Sequence, residues 1–334
     1  MKIVVIGAGA IGGVTAAFMG RGGVDVTLVC KGRSVAETIR ESGLHIVGKR
    51  GEHRIKLKAV ADISELEGKF DCCLIATKAY DLEGAAEKIL PFLTPDGLVV
   101  SLQNGICIDA LTKAAGGGRA VGAVVTWSST MLGDAELEIT GEGGFIIGRP
   151  GGGSDERLAK LREAMDKAAP TRISDDILGD MYSKLIINSG ITCGGAMTGQ
   201  TLGKMLAGRR ARQFFIHIVR EDMRVADAMG LKVPPFGGKL DYYGFIRGNT
   251  ILSQLRRHAI LFLIGLRYRK LKSSSLTSLQ RNGKTEVDFL NGWIAEKGDK
   301  LNIPTPVNDR VVKIIKEIEA GKRKISPGNI SETF

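Results

Sequence analysis

A chain of 334 residues suggests about two domains, and 43% hydrophobic with 25% charged residues is a globular balance, which excludes a disordered or fibrous chain. The net charge of +11 raises nucleic acid as a partner, but the cations are spread along the chain without a zinc-finger or aromatic RNA-binding motif. An anionic cofactor and an acidic substrate explain part of that charge equally well, so no nucleic acid is expected.

The first element is Ile3–Ile6, a short apolar run rich in β-branched residues, as suits a strand buried on both faces. It leads into Gly7, Ala8, Gly9, Ala10, Ile11 and Gly12, and Ala10–Met19 reads as a helix. A GxGxxG loop between strand and helix predicts dinucleotide binding: Gly7 makes the tight turn, Gly9 admits the ligand to the backbone, and Gly12 lets helix and strand pack closely. The N–H groups at the helix start then face a pyrophosphate. The second strand, Val24–Cys30, runs into Lys31, Gly32 and Arg33. NAD sites place an acidic residue there for the ribose 2′-hydroxyl; Lys31 and Arg33 suit a 2′-phosphate instead, so NADP is the expected cofactor. The bland alternative is a pair of solvated charges.

A helix near Ser34–Glu41 follows, then a hairpin over residues 44–60 in which Ile55, Leu57 and Ala59 alternate with charges. Further strands are expected at 70–78, 97–105 and 119–127, with a late antiparallel pair at 137–140 and 144–148, a loop at 150–155 and a helix near Glu156–Ala168. Strands alternating with helices imply a parallel sheet with right-handed crossovers. From about Ser174 the strand signals vanish. The expected organisation is therefore an α/β N-terminal domain, residues 1–172, and a mainly α-helical C-terminal domain, residues 173–334, with the cleft between them as the default site of chemistry.

The five cysteines, Cys30, Cys72, Cys73, Cys107 and Cys193, show no metal-type spacing, and the four histidines form no HExxH pattern, so no metal is expected. Reduced thiols and the lack of a signal peptide point to a cytoplasmic protein. The longest apolar run, Ala259–Leu266, is too short to span a bilayer.

Polar residues at two strand ends, Lys78 after CCLIAT and Asn104 after VVSLQ, stand where ligands bind in open α/β sheets. Lys184 and Asn188 are four apart among apolar neighbours and share one helix face. A lysine partly desolvated there has a lowered pKa and is a usable general acid; the alternative is an ordinary surface lysine. Ser274, Glu286 and Asn291 flank a glycine-containing turn, where Glu286 either serves a ligand or merely complements a helix N-terminus.

Together GAGAIG at 7–12, TKAYD at 77–81, QNG at 103–105, KLIIN at 184–188 and TEVDFLNG at 285–292 make the sequence resemble the ketopantoate reductase family of NADP-dependent 2-keto acid reductases. The resemblance covers nearly the whole chain and implies a Rossmann-type domain followed by a helical one. It implies that Lys184 is the catalytic acid, that Asn104 and Lys78 contact cofactor and substrate, and that Asn188, Ser274 and Glu286 hold a small 2-keto acid, with Glu286 receiving its hydroxyl. The implied reaction is ketopantoate to pantoate, in pantothenate biosynthesis. The alternatives are reduction of another 2-oxo acid and an NADP-binding regulator without turnover. Three positions depart from the family pattern, Thr192 and Leu202 where asparagines are usual and Ser278 where an aspartate is. The segment 234–272 is also longer than usual; it is read as an extra core helix, the alternatives being a homodimer contact or a membrane-surface helix.

Overall fold

The computed structural model describes residues 1–334 and divides into two compact units, Met1–Gln103 with Cys107–Met181, and Asn104–Ile106 with Tyr182–Phe334. The strands are β1 (Lys2–Ile6), β2 (Asp25–Val29), β3 (Leu44–Gly48), β4 (His53–Ile55), β5 (Lys58–Val60), β6 (Phe70–Ile75), β7 (Leu93–Ser101), β8 (Ala120–Val125), β9 (Ser128–Gly133), β10 (Glu136–Gly141), β11 (Phe145–Gly148) and β12 (Thr171–Ile173). They alternate with α1 (Ala10–Arg21), α2 (Arg33–Glu41), α3 (Leu82–Ile89), α4 (Ile108–Ala115) and α5 (Glu156–Asp166).

Eight strands form one sheet, in the order β12-β11-β8-β7-β6-β1-β2-β5. From β5 to β8 every neighbouring pair is parallel, so the order reverses between β1 and β6 as in a doubly wound dinucleotide fold. This is the Rossmann-type architecture expected from the alternating pattern. Ile3, Val4, Val5 and Ile6 are all buried, because helices cover both faces of the sheet. A second sheet, β4-β3-β10-β9, packs on the outer side of α1. That is why α1 carries almost no polar residues: seven of its side chains or glycines are buried between the two sheets.

Two local expectations are corrected. Residues 44–60 do not form one hairpin: β3 and β4 pair antiparallel, but β5 leaves them and runs parallel to β2, Thr27 opposite Lys58. The open edge of β2 offers a row of unpaired backbone groups, which β5 satisfies. The expected pair at 137–140 and 144–148 is also split. β10 joins β9 and β3, whereas β11 pairs with β8 in the large sheet. Thr126 separates them, since its N–H donates to Gly144 O at 2.9 Å and its Oγ1 accepts from Gly144 N at 2.8 Å.

The helix α6 (Ile177–Ile187) contains the boundary between the two units. Its first turn is tied to the sheet, as a Cβ at Gly122 would lie 2.9 Å from Ile177 and 3.1 Å from Met181. The second unit is helical: α7 (Cys193–Thr198), α8 (Leu202–Ala207), α9 (Arg209–Ala228), α10 (Tyr242–Ile246), α11 (Ile251–Arg267), α12 (Ser274–Gln280), α13 (Asn291–Leu301) and α14 (Pro306–Glu319). Helix α9 packs on α14, and Phe214, Ile218 and Val219 of the one and Val311, Ile314 and Ile315 of the other are buried. The extra helix expected within 234–272 exists as α11, but it is not a core helix: only Arg257, Leu261 and Gly265 are buried, and Leu252 is 77% exposed. No helix is long and apolar enough to cross a membrane.

The glycine loop gives a test of this packing. A Cβ at Gly12 would lie 2.7 Å from Ala76 Cβ and closer still to Gly7 O, whereas one at Gly9 meets only Met131 Sδ at 4.0 Å. Gly12→Ala is expected to cost about 1–3 kcal/mol and lower Tm by several degrees, and Gly9→Ala to leave stability within roughly 0.5 kcal/mol. Thermal unfolding of both variants checks the difference.

Candidate active site

Four loops leave the carboxyl edge of the parallel sheet, after β1, β2, β6 and β7, and all carry residues singled out from the sequence. After β1, Gly7 has φ of +108° and its N–H donates to Val29 O at 2.9 Å, while Ala76 N donates to Ile6 O at 2.8 Å. The turn thus lies flat against the end of β6. Gly9 stands at the N-cap of α1 without a side-chain cap, so no side chain blocks the first helical N–H groups. After β2, Lys31 and Arg33 are both exposed, with Gly32 (φ +100°) between them and no carboxylate in the turn. Lys78, after β6, is half-buried at the start of a short 3-10 turn. These features fit a dinucleotide: an open helix N-terminus for a pyrophosphate, and two cations where a 2′-phosphate would lie.

The loop after β7 carries Asn104–Ile106 into the second unit. Gly105 has φ of +83°, and a Cβ on it would collide with the backbone oxygen of Phe289. The glycine of QNG therefore lets this strand of chain pass directly against the TEVDFLNG segment. Asn104 is held near Asn188, whose Nδ2 donates to Asn104 Oδ1 at 3.5 Å.

Lys184 lies on α6 between buried Ser183 and buried Leu185 and Ile186. The helix is gripped by two tyrosines: Tyr242 Oη donates to Ser183 O at 2.5 Å, and Tyr182 Oη donates to Asp222 O at 2.5 Å. The Lys184 ammonium is surrounded by protein, although its side chain keeps partial contact with solvent. Burial brings its pKa down to about 8, and the negative charge of Glu286 opposes that fall. Glu286 itself is buried. Its neighbours are anchored to α14: Thr285 donates from both N and Oγ1 to Glu319 Oε1 at 2.7 Å, and Lys316 Nζ pairs with Asp288.

Beyond Ile187 the helix widens into a π turn over Asn188–Thr192. Cys193 N donates to the carbonyls of Asn188 and Gly190, passing over Ser189. The Ser189 carbonyl, which an α-helix would have paired with Cys193, accepts instead from Asn291 Nδ2 at 3.4 Å. Asn291 also donates to Asn308 Oδ1 at 2.8 Å, and Asn308 Nδ2 donates to Glu221 at 2.9 Å and to Asp222 at 3.0 Å. Burial raises the Asp222 carboxyl well above the usual carboxylate range, against the hydrogen bond from Asn308. This buried network was not legible in the sequence. Its one signal is the adjacent acidic pair Glu221-Asp222 on a helix between the apolar positions Val219 and Met223.

The second unit therefore gathers Lys184, Glu286, Asn188 and Asn104. Ser274 sits exposed on the first turn of α12, which packs on the π turn, while its neighbour Ser273 caps the helix by accepting from Leu276 N at 3.1 Å. Of the unusual positions, Thr192 Oγ1 donates to Asn188 Oδ1 at 3.4 Å, and Leu202 is buried in the core.

Comparison with known proteins identifies the family. Residues 3–152 match the family described as "Ketopantoate reductase PanE/ApbA", and residues 176–319 its C-terminal domain. A 2-dehydropantoate 2-reductase of Pyrococcus abyssi is 30% identical, covering 96% of this chain and 98% of its own. One from Pyrococcus horikoshii is 28% identical with the same coverage. The crystal structure of a PanE/ApbA family ketopantoate reductase from Ralstonia eutropha superimposes with a TM-score of 0.82 at 26% identity, over 97% of this chain and 100% of that one. The chain belongs to the ketopantoate reductase family of oxidoreductases.

Proposed function

We propose that this protein reduces a small 2-oxo acid with NADPH, ketopantoate to pantoate being the leading reaction. The observation that carries the proposal is Lys184: a lysine brought to a pKa of about 8 by burial, on the same helix face as Asn188 and under the charge of Glu286. Such a group is largely protonated at neutral pH yet gives up its proton far more readily than an ordinary lysine.

When bound, the reduced nicotinamide supplies a hydride to the keto carbon. Gly7, Ala8, Gly9, Ala10, Ile11 and Gly12 hold the pyrophosphate, Lys31 and Arg33 the 2′-phosphate, and Lys78 and Asn104 the part nearest the substrate. Lys184 Nζ donates its proton to the carbonyl oxygen as that oxygen becomes an alkoxide, and regains one from solvent. Glu286 accepts the hydrogen bond of the substrate hydroxyl. Asn188 and Ser274 orient the remaining polar groups, and the fixed placement of these donors lowers the entropic part of the barrier. Thr192, turned inward to Asn188, favours a second reading in which the substrate is a different branched or aromatic 2-oxo acid. Five buried free cysteines accord with a reducing compartment such as the cytoplasm.

Turnover of a panel of 2-oxo acids, followed by NADPH oxidation, tests the reading. Lys184→Ala should lower kcat by about a hundredfold to ten-thousandfold while leaving NADPH binding within about twofold. A variant with near wild-type kcat would remove Lys184 from the chemistry. The cofactor assignment has its own check, since kcat/KM should be higher with NADPH than with NADH, and Arg33→Ala should raise KM for NADPH selectively. Equal or better use of NADH by the wild type contradicts it.

A further inference from the structure

The outer face of α11 takes no part in the chemistry above. Ile251, Leu252, Leu255, Phe262, Leu263 and Leu266 are all exposed on it, whereas Arg257, Leu261 and Gly265 face inward on α8 and α9. At roughly 200 Å² for a fully exposed large side chain, the six present on the order of 700 Å² of apolar surface, more than a soluble monomer usually leaves in one patch. It also approaches the roughly 800 Å² per partner of a stable protein interface.

We propose that two copies of this chain pair through α11, antiparallel, about a two-fold axis at Ala259. The spacing carries the choice of occupant. Leu252, Leu255, Ala259, Leu263 and Leu266 follow one another at steps of three, four, four and three, an exposed stripe on one face of the helix with Phe262 at its border. The stripe is also palindromic: seven residues separate Ala259 from Leu252 on one side and from Leu266 on the other, and four separate it from Leu255 and from Leu263. Antiparallel pairing therefore sets Leu252 on the partner's Leu266, Leu255 on the partner's Leu263, and Ala259 on its own copy, where the small side chain lets the helices approach. This self-complementarity is what an isologous contact requires.

Charge repulsion between the copies weakens the pairing at low ionic strength and is screened by salt. Residues 242–285 contain nine Lys and Arg and no Asp or Glu, a composition that also suits an anionic lipid surface. The two arginines in the middle of the helix, however, are engaged within their own chain. Arg256 donates to the carbonyls of Gly244, Phe245 and Arg247 at 2.7–3.4 Å, and Arg257 to those of Ile246, Arg247 and Gly248 at 3.0–3.3 Å. A lipid surface, moreover, does not require the palindrome.

The full chain at micromolar concentration should scatter light with twice the 35.7 kDa monomer mass. Leu255→Glu combined with Leu263→Glu should raise the dimer dissociation constant by more than about a hundredfold and give the monomer mass. Both positions are exposed in the single chain, so circular dichroism should not change and Tm should fall only by the stabilisation that pairing provides. A second arm needs no destabilising change. The native cysteines are all buried, so Ala259→Cys should oxidise to a covalent dimer across the axis, and Gln254→Cys, exposed but off the stripe, should not. A monomeric wild type, a double variant that stays dimeric, or equal cross-linking at Gln254 and Ala259 would overturn the proposal. So would a monomeric wild type that sediments with phosphatidylglycerol-containing vesicles, which would assign the face to lipid.

Discussion

The balance struck at Lys184 between burial and the charge of Glu286 governs the rest of the second unit. A lysine stripped of water without a counter-charge would lose its proton, and one fully paired in solvent would hold it too tightly to serve as an acid. Lys184 is brought to about 8 because both influences act together. Keeping them together needs rigid support on two sides. Tyr242 and Tyr182 fix the helix that carries the lysine, and Thr285 and Asp288, anchored to Glu319 and Lys316, fix the turn that carries the glutamate.

The π turn after Ile187 follows from the same need. Widening the helix by one residue breaks the ordinary pairing of the Ser189 carbonyl, and a buried carbonyl without a donor costs about 1–3 kcal/mol. Asn291 supplies the donor and is itself held by Asn308. Asn291 of TEVDFLNG thus supports the helix turn that presents Asn188, while Glu286 of the same motif acts on Lys184. Gly105 joins a third motif to these two, since its close approach to Phe289 is what lets Asn104 stand beside Asn188. Segments far apart in sequence are therefore tied by backbone contacts that tolerate few substitutions.

What could be read from the residues divides along the line between local and long-range causes. The strand of Ile3–Ile6, the glycine turn and α1 are dictated by neighbours within a dozen positions, and the structure forms them as expected. The partners of β5, β10 and β11 depend on which edge is open elsewhere in the sheet, and alternation of apolar residues carries no such information. α11 shows the same limit from another side. Its apolar residues promised a helix, but apolar residues on both faces do not say which face is covered. In the site, Lys184 and Asn188 were visible as a four-residue spacing, whereas the π turn and the Asn291–Asn308–Asp222 network arise from contacts between distant segments.

The most direct test of the Lys184–Glu286 balance is the pH dependence of kcat/KM for 2-oxo acid reduction with NADPH, in the wild type and in Glu286→Gln. A general acid works only while protonated, so the wild-type rate should fall as pH rises through about 8. Removing the negative charge leaves burial unopposed, so the fall in Glu286→Gln should begin at lower pH. A wild-type limb at the ordinary lysine value of about 10.4, or a limb that does not move in the variant, would contradict it.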